Sequence, residues 1–83
     1  MDISKSDIIE SLAGRDKGKF FYVIDTEDNY VLIADGRIRK VENPKKKKLK
    51  HLKPIDCDRI SEEKLTNRFI REAISEYLGT EQS

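Results

Sequence analysis

The chain has 83 residues, enough for one small domain and too few for a second core. Charged residues make up 40% and hydrophobic ones 36%, but the apolar residues fall in patterned clusters, which argues for a folded domain with a charged surface and against a disordered chain. The formal net charge is only +1, yet residues 37–53 hold nine basic residues and one acid, Glu42, a net of +8, which points to a local anionic partner.

In chain order, residues 1–6 are polar and expected to fray. A short strand is expected over 7–12, followed by the glycine-framed loop Gly14-Arg15-Asp16-Lys17-Gly18-Lys19. Residues 20–25 (F-F-Y-V-I-D), aromatic and β-branched, read as a strand. Residues 26–29 form a polar turn, and 30–34 (Y-V-L-I-A) the next strand. Asp35-Gly36 is a hairpin signal, because both residues tolerate the positive φ of a tight turn. Residues 38–42 (I-R-K-V-E) alternate as a weaker fourth strand, which Asn43-Pro44 ends. In the lysine-rich segment that follows, Leu49 and Leu52 could anchor a short last strand or a 3₁₀ turn.

Beyond Pro54 the period becomes helical. Leu65, Phe69, Ala73 and Tyr77 recur at spacings of four, as do Ile70, Ile74 and Leu78. The spacing predicts a helix over about 62–78, with Ser61 as N-cap, Glu62 and Glu63 at its positive end and Gly79 just past its end. Lys64, Arg68 and Arg71 lie on the polar side, among acids that can pair at i,i+4, such as Arg68–Glu72. The expected layout is a strand unit over 1–55 and, over 56–83, this helix with a loose tail, its apolar face packed on the strands. Short antiparallel strands favour a barrel, because closure removes exposed edges.

Two segments carry candidate chemistry. In the glycine loop, Gly14 and Gly18 permit sharp turns and close approach of a ligand to the backbone. Arg15, Lys17 and Lys19 supply charge suited to phosphate. Asp16 could hydrogen-bond within the loop and set its shape. The loop enters a strand and lacks the G-x-x-x-x-G-K-[ST] spacing of a nucleotide-hydrolysing loop. An ordinary solvated turn is the competing reading.

The second segment contains Lys45, Lys46, Lys47, Lys48, Lys50, His51 and Lys53. Its lysines repel one another unless a polyanion lies near, and binding through them would weaken steeply with salt. The competing readings are a solvated loop and, with less support, an anionic lipid surface. Arg37, Arg39 and Lys40 could widen the basic surface, Arg37 and Arg39 on one face of the fourth strand. Most of the aromatics must fill the core. Tyr22 or Tyr30 is the candidate for an exposed, base-stacking ring.

The loop G-R-D-K-G-K, placed after a short strand and before an apolar one, resembles the KOW motif of several ribosomal proteins and transcription elongation factors. With D-N-Y-V-L-I-A-D-G-R-I-R-K-V-E and P-K-K-K-K-L-K-H-L added, the chain up to Pro54 is similar to the small KOW-domain RNA-binding proteins of Gram-positive bacteria. Those are related to KOW-type large-subunit ribosomal proteins of archaea and eukaryotes. The resemblance implies a five-stranded SH3-like barrel, mainly β, followed here by the amphipathic helix, and it implies RNA binding. Where the broader motif usually has another glycine, three residues after Lys-Gly, this chain has Phe21.

The expectation is therefore a non-catalytic module for structured ribosomal RNA, through Gly14, Arg15, Lys17, Gly18, Lys19, Arg37, Arg39, Lys40 and the lysine segment. The alternative is an SH3-like adaptor on a transcription or translation complex that uses the helix, with ribosomal or transcription proteins as partners. One His and one Cys cannot supply the usual four ligands of a zinc site, and a barrel this small offers no sizeable catalytic cleft. No metal, cofactor or enzymatic activity is expected. The lone Cys57 suits a reducing compartment, no apolar run reaches the ~18–20 residues of a membrane span, and the N-terminus lacks signal-peptide layout. A cytoplasmic protein without a membrane role is expected.

Overall fold

The computed structural model of the chain describes residues 3–55 and 64–82. Five strands and one helix are joined by two 3₁₀ turns. The strands are β1 (Ile8–Ser11), β2 (Phe20–Glu27), β3 (Tyr30–Ala34), β4 (Lys45–Lys48) and β5 (Leu52–Pro54). The helix α1 spans Asn67–Gln82. The strands form one antiparallel sheet in the order β4-β3-β2-β1-β5.

The two edge strands, β4 and β5, follow one another in the chain with only the turn Leu49–His51 between them. The sheet is therefore barrel-like, although β4 and β5 are not paired and its ladder stays open. The expected mainly-β fold with a C-terminal helix is what the chain adopts.

Strand β2 explains the layers. Phe21 and Val23 point to one side, with Ile9, Val31, Ile33 and Leu52. Phe20, Tyr22 and Ile24 point to the other, with Ala34 and Ile70, Ala73 and Ile74 of α1. The run F-F-Y-V-I is continuously apolar because both faces are covered. Each fully buried aliphatic side chain contributes about 1.5–3 kcal/mol relative to exposure. Phe21 is part of the inner core at 2% exposure. Tyr22 is buried under α1 and Tyr30 is the exposed tyrosine, which separates the two candidates.

Residues 38–42 are not a strand. The Asp35 carboxylate accepts hydrogen bonds from the backbone N–H of Arg37 and of Arg39, both at 2.9 Å. The backbone N–H groups of Asp35 and Gly36 in turn donate to the Arg39 carbonyl. These bonds bend residues 35–39 into a compact loop and leave no extended strand on which Arg37 and Arg39 could share a face. Asp35-Gly36 thus opens a loop instead of a tight hairpin. The fourth strand is the lysine run itself, paired with β3 from Tyr30↔Lys48 to Ile33↔Lys45.

The helix begins at Asn67, later than its period suggests. The Thr66 hydroxyl accepts the N–H of Phe69 and caps the first turn. The Asn67 side chain accepts the N–H of Val41 and donates to the Glu42 carboxylate. The start is therefore set by a cap and by docking to the 35–43 loop. At its other end the helix runs past Gly79 to Gln82. The expected roles of Ser61, Glu62, Glu63 and Cys57 lie outside the described residues. No helix among the described residues is long and apolar enough to cross a membrane.

Candidate nucleic-acid interface

The glycine-framed loop is built by backbone bonds at its neck. Ser11 N–H donates to the Lys19 carbonyl at 2.9 Å, and Gly18 N–H donates to the Ser11 carbonyl at 2.8 Å. Gly18 has φ +85° with open space around its Cα, so glycine is needed there for the backbone turn and not for room. Between the neck residues, Gly14–Asp16 form a 3₁₀ turn that Lys17 N–H closes by donating to the Gly14 carbonyl. Arg15, Lys17, Gly18 and Lys19 are exposed.

The lysine run alternates as a strand must. Lys45 and Lys47 share a side with Val31 and Ile33, their cross-strand partners, and reach the glycine loop at the rim of the inner core. Lys45 Nζ meets Asp16 Oδ2 at 2.6 Å, and Lys47 Nζ lies 4.0 Å from the same oxygen. Lys47 Nζ also donates to the Ala13 carbonyl at 3.0 Å, and its side chain is only 10% exposed. The ammonium of Lys45, hydrogen-bonded to Asp16, holds that carboxyl below the usual carboxylate range against the opposing effect of burial, and the charges of Lys45, Lys47 and Lys19 add to the lowering. Two lysines of the run thus act as clamps on the glycine loop.

Lys46 and Lys48 occupy the opposite side. Lys46 Nζ pairs with Glu27 at 3.2 Å and lies 4.9 Å from the centroid of the Tyr30 ring. Lys48 stands directly across from Tyr30. Lys50 and His51 are on the turn Leu49–His51, whose His51 carbonyl accepts the Leu12 N–H at 2.9 Å. Lys53 is exposed on β5, opposite Glu10. Among the described residues, Arg15, Lys17, Lys19, Lys48, Lys50 and Lys53 form no ion pair.

Arg37, Arg39 and Lys40 sit on the loop held against α1. Arg71 donates to the Gly36 carbonyl at 2.8 Å. Gly36 has φ +78°, and a Cβ there would fall 2.4 Å from the Asn67 carbonyl oxygen, so loop and helix touch backbone to backbone. Lys19, Asp35, Arg37 and Arg71 line one shallow recess of about 330 Å³, which joins the end of the glycine loop to the arginine loop. Arg71 was visible in the sequence only as part of a solvated stripe. Its contribution to this recess depends on how the helix docks, which its spacing alone does not tell.

A scan against known protein families finds none that this chain matches. No curated protein matches it either.

Proposed function

We propose that this protein is a non-catalytic RNA-binding module, of ribosomal-protein-like or ribosome-associated type, that grips structured ribosomal RNA through its basic surface. The observation that carries the reading is the contact between Asp16 and Lys45, 29 residues apart in sequence. It joins the glycine loop to the lysine strand and settles the charge of Lys45 and Lys47 within the protein. The cations without an ion-pair partner among the described residues then flank the joined elements: Arg15, Lys17 and Lys19 on the loop, Lys48 and Lys50 at the end of the strand.

Cationic groups of this kind suit the phosphates and 2′-hydroxyls through which A-form RNA is read. Lysine lacks the rigid fork of arginine, so the four lysines give affinity more than sequence choice. The test is a salt titration of binding to a structured ribosomal RNA fragment, with wild-type protein and K17E/K48E/K50E. Affinity is expected to fall in the variant, and the slope of log K against log salt to flatten by about one per lysine removed. Unchanged affinity and slope would reject the reading.

The adaptor reading has one feature of its own. Ile70, Ala73 and Ile74 of the helix are buried against the sheet, so a protein partner would have to use another surface, and Ile38, at 83%, is the most exposed large apolar side chain among the described residues. I38S would weaken such a complex and leave RNA affinity within about threefold, since it changes no charge on the basic surface.

A further inference from the structure

We propose that the recess beside Tyr30 seats one unpaired base of an RNA strand, stacked on the tyrosine ring, with Lys48 and Lys50 holding the neighbouring phosphates. The inference rests on the RNA-binding reading and deepens it. It adds a single-stranded element to a surface otherwise suited to duplex backbone.

Tyr30 is the exposed aromatic of the chain, at 36%, while the remaining five rings are buried or partly buried. Such exposure comes with order. The ring sits at the start of β3, beside the β2–β3 turn, and Lys46 lies over it while bonded to Glu27. The Asn29 carbonyl accepts the Leu49 N–H at 2.8 Å, which fixes the turn Leu49–His51 against the tyrosine's own hairpin. Asn29, Tyr30, Lys48, Leu49 and Lys50 thereby line a recess of about 560 Å³, within the roughly 300–1,000 Å³ of small-ligand sites. Its lining combines an aromatic ring, Leu49 packed against the core, and two lysines with no carboxylate partner among the described residues.

That combination selects the occupant. A flat π-system bearing anionic flanks is a nucleotide in a strand. A paired base inside a duplex cannot offer its face, so the base must be unpaired. An apolar peptide side chain would leave both lysines unanswered. A lipid surface would need a wider apolar face than Leu49 and one ring provide. Stacking tolerates every base, so the recess confers a preference for loops and bulges and little for sequence.

The test uses the full chain and two RNAs with equal numbers of phosphates, a blunt duplex and a hairpin with a single-stranded loop, followed by fluorescence anisotropy. Y30A is expected to lose about five- to hundredfold in affinity for the hairpin and to bind the duplex as wild type does. Y30F is expected to match wild type on both. The chain has no tryptophan, so Y30W supplies a single indole whose emission should be quenched by the hairpin and not by the duplex. Circular dichroism checks the fold of each variant. If Y30A weakens both RNAs alike, or neither, or if the Y30W indole is unquenched by bound hairpin, the inference is overturned while RNA binding stands. If wild type binds neither RNA, the RNA-binding reading falls and this inference with it.

Discussion

Asp16→Asn tests whether half of the lysine run is structural. The substitution keeps the side chain's shape and removes the charge that Lys45 meets at 2.6 Å and Lys47 at 4.0 Å. Lys47 is only 10% exposed, so water cannot readily replace the lost carboxylate, and the Ala13 carbonyl at 3.0 Å is left to satisfy it. Breaking one side of a fully buried pair costs about 3–5 kcal/mol, and losing an exposed pair costs under about 1 kcal/mol. With Asp16 at 19% and Lys45 at 34% exposure, the expected loss lies between, near 2 kcal/mol. For a domain of this size that is a fall of roughly 10 °C in Tm. Thermal unfolding of wild type, D16N, K45M and D16N/K45M at neutral pH would measure it, with a coupling of about 1 kcal/mol expected in the cycle. Affinity for RNA should move the other way, because D16N deletes a negative charge and frees two ammonium groups. A D16N protein that melts within about 3 °C of wild type would refute the clamp, since that is the loss an exposed surface pair would cause.

The same carboxylate gives a pH signature. Its folded pKa is depressed below the ordinary 3.8, so its stabilisation is complete above that value and is lost as pH falls through it and on through the folded value. The stability gap between wild type and D16N should therefore close in acid, which urea unfolding across pH would show. A gap that persists after the carboxyl is protonated would contradict the assignment. Gly36→Ala should cost several kcal/mol, because the new Cβ meets the Asn67 carbonyl oxygen at 2.4 Å on top of an unfavourable φ of +78°. Gly18→Ala, at φ +85° with open space, should cost only the backbone strain of about 1–2 kcal/mol, and a larger loss from G18A than from G36A would reverse the argument. Ile70→Ala removes a fully buried side chain from the helix–sheet layer and should lower stability by about 2–5 kcal/mol in denaturant unfolding. A change below 1 kcal/mol would mean that α1 does not dock as described.

Much of this fold could be read from the chain because local pattern and burial agree. Residues 30–34 form a strand with the expected bounds. The apolar run after the glycine loop forms β2, which continues two residues further, to Glu27. The helical period of the C-terminal segment also reports a real apolar face. The fourth strand was misplaced because two signals favoured the wrong segment. I-R-K-V-E alternates like a strand, but Asp35 captures the backbone N–H groups of Arg37 and Arg39 through its side chain. Four consecutive lysines have poor strand propensity, yet Asp16 and Glu27 neutralise three of them from other parts of the chain. Those partners are invisible until the sheet is assembled. For the same reason the basic segment looked uniform, whereas its odd and even positions have different work. Asp16 is expected from the sequence to hydrogen-bond within its own loop, but its carboxylate bonds Lys45 of β4 instead. That partner, 29 residues away, comes near only in the assembled sheet.

Sedimentation of the tagged protein with ribosomal particles of its own host, at low and high salt and with and without ribonuclease, tests the central claim most directly. The account predicts co-migration with the large subunit at low salt, and release by high salt or by ribonuclease. A protein that stays at the top of the gradient, or that enters a salt-resistant complex lacking RNA, would contradict it.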